Sequence, residues 1–90
     1  DTLREQADAR ADTEQRLRRL EGALVAGDHA TTRNEAHAIK GAAGNFGAER
    51  LHEFAKRLEE AARSGALPPA RDLAARLRKL FADLKAAVQQ

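Results

Sequence analysis

The sequence predicts an all-α protein, an antiparallel up-down-up-down bundle of four helices, on three observations. Aromatic residues make up only 3% of the chain, with no Tyr or Trp, so the core must consist of Leu and Ala, which suit closely packed helices. β-branched residues are scarce, which argues against strands. Four amphipathic stretches are separated by short breaks at Gly27, Gly47 and Pro68-Pro69. Short connections favour antiparallel neighbours in a bundle over one extended coiled coil.

The first helix is predicted over residues 2–26 and the second over residues 28–46. Between them, Gly27 suits a helix C-terminus and Asp28 suits an N-cap. Gly47 is placed to end the second helix, because glycine adopts the left-handed conformation at little cost. The apolar residues recur at helical spacing, with Leu17, Leu20 and Leu24 in the first stripe and Thr32, Ala36, Ile39, Ala43 and Phe46 in the second.

The third helix is predicted over residues 48–64, with Ser64-Gly65 closing it, and the fourth over residues 69–88. Pro69 cannot lie in a helix interior but can open a helix. The third stripe consists of Leu51, Phe54, Ala55, Leu58, Ala61 and Ala62, and the fourth of Leu73, Leu77, Leu80, Phe81, Leu84 and Val88.

Length and composition restrict the function. Ninety residues form one small domain, so residues 1–90 are treated as a single unit. A net charge of +2 is too small for the electrostatic field of the protein to indicate nucleic-acid binding. The absence of Cys excludes disulfides and thiolate chemistry. No apolar run reaches the roughly 20 residues of a membrane span, and no signal peptide is visible. We therefore expect a cytoplasmic domain without direct membrane contact, excised from a longer protein because it lacks an initiator Met.

The second helix carries a candidate site on its polar face. Successive helical residues are turned by about 100°, so His37 points roughly 140° away from the apolar stripe and faces solvent. Arg33, Lys40, Gly41 and Gly44 fall within about 60° of it. These five residues form one face of the predicted helix.

The residue types on this face suit a phosphoryl group carried on the ring and a partner docked over it. An exposed imidazole is largely neutral at pH 7, which leaves one ring nitrogen free as a nucleophile. Lys40, at i+3, places an ammonium beside the ring, where it could meet an anion. Gly41 and Gly44 each cost about 1 kcal/mol against Ala in a helix interior, which indicates that the backbone must be approached closely. A lone exposed His is usually an ordinary surface residue, and Gly44 could simply loosen the end of the helix, so only the combination of these residues indicates a site.

The run His37-Ala38-Ile39-Lys40-Gly41, followed by Gly47, Leu51 and Leu58-Glu59, resembles the histidine phosphotransfer (HPt) domain family. The family pattern is His-x-hydrophobic-Lys-Gly, a second Gly ten residues after the His, and a Leu-Glu-like pair on the next helix. The resemblance covers residues 17–88 and includes the four-helix bundle. Bacterial hybrid sensor kinases often carry such a domain at their C-terminal end.

The resemblance implies a phosphorelay intermediate. His37 would accept a phosphoryl group from the phospho-aspartate of one response-regulator receiver domain and pass it to the aspartate of another. Lys40 would steady the phosphate, and Arg33, Gly41 and Gly44 would meet the receiver. The domain would have no cofactor and no ATP-dependent activity of its own, since the Mg²⁺ and the acidic pocket would belong to the receiver. We expect the domain to be monomeric.

Glu59 matches a position at which HPt domains often carry a polar residue that hydrogen-bonds the histidine. It is therefore a candidate to orient the imidazole. The sequence equally allows an ordinary solvated Glu or an i,i+4 partner of Arg63.

Two other functions remain open from the sequence. The phosphorylatable domain of a chemotaxis-type kinase has a very similar helix but receives its phosphoryl group from an ATP-binding domain. The short loop at Ala66-Leu67-Pro68 and the compact fourth helix favour the relay domain. A purely structural or dimerisation bundle is the other alternative, and it predicts no labelling of His37.

The sequence argues against two further sites. A metal site formed by His37, His52 and Glu59 lacks a second carboxylate in register, so we expect no bound metal. The fourth helix is basic, but its basic residues alternate with leucines rather than aromatics. A solvated face is therefore favoured over nucleic-acid binding for Arg71, Arg76, Arg78, Lys79 and Lys85.

Overall fold

The described part of the chain forms four α-helices, α1 (Thr2–Ala26), α2 (His29–Phe46), α3 (Glu49–Arg63) and α4 (Leu67–Gln89). The structure is a computed structural model that describes residues 2–46 and 48–89, with side chains except at positions 2, 3, 6, 7, 9, 46, 88 and 89. Within these ranges there is no strand. The all-α helical bundle predicted from composition and periodicity is therefore confirmed.

The helices pack in chain order around one core. α2 lies between α1 and α3, α3 packs on α4, and α4 meets α1 to close the bundle. Only a few residues join consecutive helices, so neighbours run antiparallel. The molecule measures 39 × 18 × 18 Å. At about 1.5 Å per residue, the 25 residues of α1 span almost the whole long axis.

The core contains the apolar stripes of all four helices. Small residues contribute to this core from both α2 and α3, where Ala36, Ala43 and Ala55 are fully buried. The buried cluster includes Leu17, Leu20 and Leu24 of α1, Ala36, Ile39 and Ala43 of α2, Leu51, Ala55 and Leu58 of α3, and Leu77 and Phe81 of α4. The side chains of Phe46 and Val88, which the sequence also assigned to the stripes, lie outside the described residues.

Leu84 departs from the predicted stripe, because its side chain is 39% exposed. α4 has 23 residues and α3 only 15. The last turns of α4 therefore extend beyond the first turn of α3, and Leu84 is left at the rim of the core rather than within it.

Gly27 and Asp28 form the turn between α1 and α2. Gly27 adopts a left-handed conformation with φ of 73°. Its N–H donates to Leu24 O at 3.2 Å, and Asp28 N–H donates to Ala23 O at 2.8 Å, the two bonds of a Schellman motif. The carboxylate of Asp28 then accepts from Thr31 N–H at 3.0 Å, which satisfies one of the free donors at the start of α2. The predicted role of Gly47 at the end of α2 lies outside the described residues.

α4 begins at Leu67, two residues before the predicted start at Pro69. Pro68 and Pro69 both lie in the first turn. Backbone N–H groups there have no intrahelical partner, so the missing donors of the two prolines cost no hydrogen bond. The sequence rule that proline opens a helix holds, but the helix starts before the proline pair rather than within it.

The contact between α1 and α4 is strongly ionic. The guanidinium of Arg78 donates to Glu14 Oε2 at 2.6 Å and to Glu21 Oε1 at 2.7 Å, and Lys85 Nζ donates to Glu14 Oε1 at 3.1 Å. Arg78 and Lys85 therefore join two helices, and assigning them to a solvated face was wrong. Sequence alone could not pair them, because Glu14 and Arg78 are 64 residues apart.

This network acts strongly on one acidic group. Hydrogen bonding from Arg78, opposed by burial and assisted by Lys85 and Arg18, lowers the pKa of the Glu14 carboxyl to about 2. We refer to Glu14, Glu21, Arg78 and Lys85 as the α1–α4 ion cluster.

Candidate functional site

His37 lies near the middle of α2 on its outer face, and 66% of its side chain is exposed. The opposite face of the helix is buried, with Ala36 and Ala43 fully enclosed and Ile39 nearly so. The amphipathic pattern of α2 therefore turns the imidazole towards solvent. A ring in this position is open to a reagent or a partner protein from outside the bundle.

Glu59 reaches the imidazole from α3. It is only 7% exposed, because it lies beside Leu58 on the buried side of α3. Its Oε2 atom lies 2.9 Å from His37 Nδ1, and its Oε1 atom lies 2.9 Å from Lys40 Nζ. Arg63 Nη2 lies farther away, 3.5 Å from Oε2. Glu59 is thus neither solvated nor bound to Arg63 alone, and it contacts the histidine directly.

The charge of Glu59 follows from these contacts. Burial raises the pKa of the carboxyl, but hydrogen bonds from Lys40 and His37 together outweigh it, so the pKa lies below its usual range. Glu59 is therefore ionised at neutral pH, and an ionised carboxylate can only accept hydrogen bonds. The bond to His37 then requires the proton on Nδ1, which leaves Nε2 as the unprotonated nitrogen of the neutral ring.

The space in front of the ring is cationic. Arg33, Asn34, His37, Glu59 and Arg63 line an open depression between α2 and α3. Arg33 and Arg63 bring two guanidinium groups to this depression. Its one carboxylate, that of Glu59, already contacts His37, Lys40 and, at 3.5 Å, Arg63. An incoming anion would therefore meet a favourable field at this position.

Gly41 and Gly44 are not required by the packing of the bundle. Both are exposed. A Cβ added at Gly41 would meet nothing within 4 Å, and one at Gly44 would lie 3.8 Å from His52 Cδ2, an ordinary contact. Glycine in a helix interior nevertheless costs about 1 kcal/mol against alanine. The fold therefore leaves these two residues unexplained, whereas a surface that must lie against the helix backbone would explain them.

We expect Gly41→Ala to raise the free energy of unfolding by about 1 kcal/mol, because it removes the helix penalty without a steric cost. Urea unfolding followed by circular dichroism measures this change. Gly22→Ala is the matched reference, since Gly22 is also exposed in a helix with open space at its Cβ position. Destabilisation by Gly41→Ala alone would show that the bundle itself needs this glycine.

The six residues singled out from the sequence come together on one face. Arg33, His37, Lys40, Gly41 and Gly44 lie along α2, and Glu59 contacts His37 and Lys40 from α3. Sequence reasoning missed the contact between Lys40 and Glu59, since it assigned Lys40 to the phosphate. It also left Arg63 out of the site, although the spacing of Glu59 and Arg63 connects the two.

Neither a metal site nor a membrane span is evident in the part of the chain that the structure describes. Across residues 2–46 and 48–89, no three His, Asp or Glu side chains come together to hold a metal ion. His52 lies beside Gly44 instead. None of the described helices combines the length and apolar character needed to cross a bilayer.

A four-helix bundle that presents an exposed histidine beside a lysine and a glycine is the architecture of a histidine phosphotransfer domain. The sequence profile of the Hpt domain family matches residues 7–87, and the chain belongs to this family. Its fold is similar to the crystal structure of histidine-containing phosphotransfer protein B (HptB) from Pseudomonas aeruginosa PAO1. The TM-score is 0.89 at 39% identity, over 93% of this chain and 73% of that one.

Curated protein sequences gave no match. The family and the structural match assign the chain a histidine phosphotransfer function in a phosphorelay. Hpt domains act in such relays with receiver domains.

Proposed function

We propose that His37 is the phosphorylated residue. It accepts a phosphoryl group from the aspartate of one receiver domain and passes it to the aspartate of another. The observation that carries this proposal is the contact of 2.9 Å between His37 Nδ1 and the buried Glu59 carboxylate. That contact leaves Nε2 unprotonated on an exposed ring, which is what a nucleophile at this position needs.

The chemical step follows from the position of the proton. The Nε2 lone pair attacks the phosphorus of the aspartyl phosphate, and the bond between phosphorus and the aspartate oxygen breaks with its electron pair going to the aspartate. The proton on Nδ1 stays in place, and the Glu59 carboxylate balances the positive charge that develops on the ring. Phosphoryl transfer through a loose transition state requires positioning and charge more than covalent help. The Mg²⁺ belongs to the receiver.

The receiver docks on the face formed by α2 and α3. Gly41 and Gly44 let its surface approach the helix backbone, and Arg33 adds positive charge at the edge. The open space at the Gly41 Cβ position supports this role. The domain works in the cytoplasm as part of a sensor histidine kinase, and it draws its phosphoryl group from receivers rather than from ATP.

The test uses a receiver domain carrying radioactive phosphate on its aspartate. We expect acid-labile, alkali-stable label on the wild-type domain and none on His37→Gln, because the nucleophile has been removed. His29→Gln is the matched control and should be labelled like the wild type, since His29 lies at the start of α2, about two turns from His37. Equal labelling of the His37→Gln variant would falsify the assignment of His37.

A further inference from the structure

The depression in front of His37 contains a guanidinium that has no carboxylate partner. Arg33, Asn34, His37, Glu59 and Arg63 line this depression. Arg63 Nη2 lies 3.5 Å from Glu59 Oε2. Arg33 Nη2 instead donates to the neutral amide oxygen of Asn34 at 3.4 Å, a long hydrogen bond. Among the side chains that the structure describes, none forms an ion pair with Arg33, so its positive charge is uncompensated.

Lys40, the other cation near the ring on α2, is less available to an anion. Its ammonium lies 2.9 Å from Glu59 Oε1, and only 26% of its side chain is exposed. Lys40 also does not line the depression. An ammonium that is already paired with a carboxylate adds little to the field that an incoming anion meets, because the two opposite charges nearly cancel. Arg33 is therefore the cation on α2 that remains free to act in this depression.

The helical repeat places Arg33 beside the imidazole. Arg33 lies four residues before His37, one turn earlier on the same face of α2. The Cα–Cβ bonds of a helix tilt towards its N-terminus, so the imidazole lies over the turn that contains Arg33 rather than over the turn that follows. A group bonded to the ring in this depression is therefore within reach of the guanidinium.

We propose that Arg33 is a catalytic residue whose guanidinium binds the oxygens of the phosphoryl group carried on His37 Nε2. A phosphoryl group presents strongly accepting, negatively charged oxygens, and the planar fork of a guanidinium can donate to two of them at once. Arg33 thereby stabilises the loaded domain and the transition state that leads to it. This inference rests on the proposed function for the position of the phosphoryl group on Nε2.

A role for Arg33 in receiver docking alone would give different results. A residue that meets only the receiver affects transfer from a receiver. A residue that binds the phosphoryl group also affects loading by a small donor and the ionisation of the bound group. Phosphoramidate is such a donor and needs no receiver. In its reaction Nε2 bonds to phosphorus, and ammonia leaves with the electron pair of the broken bond between phosphorus and nitrogen.

Phosphorus NMR of the phosphoramidate-loaded domain, recorded over a pH titration, measures the ionisation of the phosphoryl group. A nearby positive charge favours the fully ionised form, so we expect Arg33→Gln to raise the pKa of this group by about 0.5 unit or more. The difference from the wild type should shrink in about 1 M salt, because exposed charges are screened. Arg33→Lys keeps the charge without the fork, so its pKa should lie between those of the wild type and Arg33→Gln.

The rate of phosphoramidate loading gives the second readout. We expect Arg33→Gln to slow the loading of His37 about three- to tenfold, the effect of losing one hydrogen bond to a charged group at an exposed position. Arg50→Gln is the matched control. Arg50 is also exposed, but it lines a different depression with Leu80 and Asp83 of α4. This variant should match the wild type in loading rate and in phosphoryl pKa.

Two results would overturn the proposal. One is an unchanged loading rate and phosphoryl pKa in Arg33→Gln, and slower transfer from a labelled receiver would then restrict Arg33 to docking. The other is a raised phosphoryl pKa in Arg63→Gln but not in Arg33→Gln, which would make Arg63 the phosphate ligand. If receivers fail to label His37 while phosphoramidate loading depends on Arg33 as expected, the relay assignment fails and the role of Arg33 stands.

Discussion

Gly41→Arg is expected to reduce phosphoryl transfer from a receiver by about 100-fold or more while the bundle stays folded. Gly41 lies one turn after His37, so an arginine there would project over the surface on which we propose that the receiver docks. Displacing reacting groups by about 1 Å already costs about 100-fold in rate. A Cβ at position 41 meets nothing within 4 Å and the position is exposed, so we expect the bundle to accommodate the arginine. Single-turnover transfer from a labelled receiver measures the loss.

Two controls separate docking from folding and from chemistry. Gly22→Arg introduces the same side chain at another exposed helical glycine with open space at its Cβ position, on α1, and should transfer normally. Phosphoramidate loading of Gly41→Arg should stay within about threefold of the wild type, because a small donor needs no docking surface. Normal receiver transfer by Gly41→Arg would remove Gly41 from the docking surface.

Glu14→Gln is expected to lower the free energy of unfolding at pH 7 by about 1–3 kcal/mol, and this loss should disappear in acid. The pKa of Glu14 is about 2 in the folded domain, against 4.5 for an unperturbed glutamate. A lowered folded pKa gives stability that is fully present above about pH 4.5 and is lost as the pH falls towards 2. The Glu14 side chain is 19% exposed, and Arg78 and Lys85 are more exposed still, so solvent screening reduces the gain.

Urea unfolding of the wild type and the variant at pH 7, 4.5, 3 and 2 checks this prediction. Other carboxyl groups titrate over the same range, but their effects cancel in the difference between the two proteins. Glu53→Gln is the control, because Glu53 forms an exposed i,i+4 pair with Arg57 and should give a small difference at every pH. A difference for Glu14→Gln that stays constant from pH 7 to pH 2 would contradict the ionic origin of the stability.

Local patterns predicted the fold well. Leu17, Leu20 and Leu24 recur at helical spacing, and all three are buried in the core. Gly27 ends α1 and Asp28 caps the start of α2, and both residues make the hydrogen bonds expected for these roles. These features depend on residues that lie within one or two helical turns of each other. Such short spacings can be read directly from the sequence. Leu84 shows the limit, because its exposure depends on the different lengths of α3 and α4.

The site was predictable in part for the same reason. The placement of Arg33, Lys40, Gly41 and Gly44 around His37 follows from the helical repeat on a single element. The burial of Glu59 and its two short contacts depend on how α3 lies against α2, and no spacing rule on one helix gives that relation. The α1–α4 ion cluster is still harder to predict from the sequence, since it joins the first helix to the last.

The carboxylate of Glu59 is in place before any receiver arrives, and its bonds to His37 and Lys40 need not change when the phosphoryl group comes or goes. Such a preorganised site requires no closure step. It lowers the barrier for arrival and for departure alike, since both pass through the same arrangement of atoms. Under the proposed function, the domain sets how fast phosphoryl groups exchange between receivers, and the relative phosphorylation free energies and amounts of those receivers set the net direction of flow.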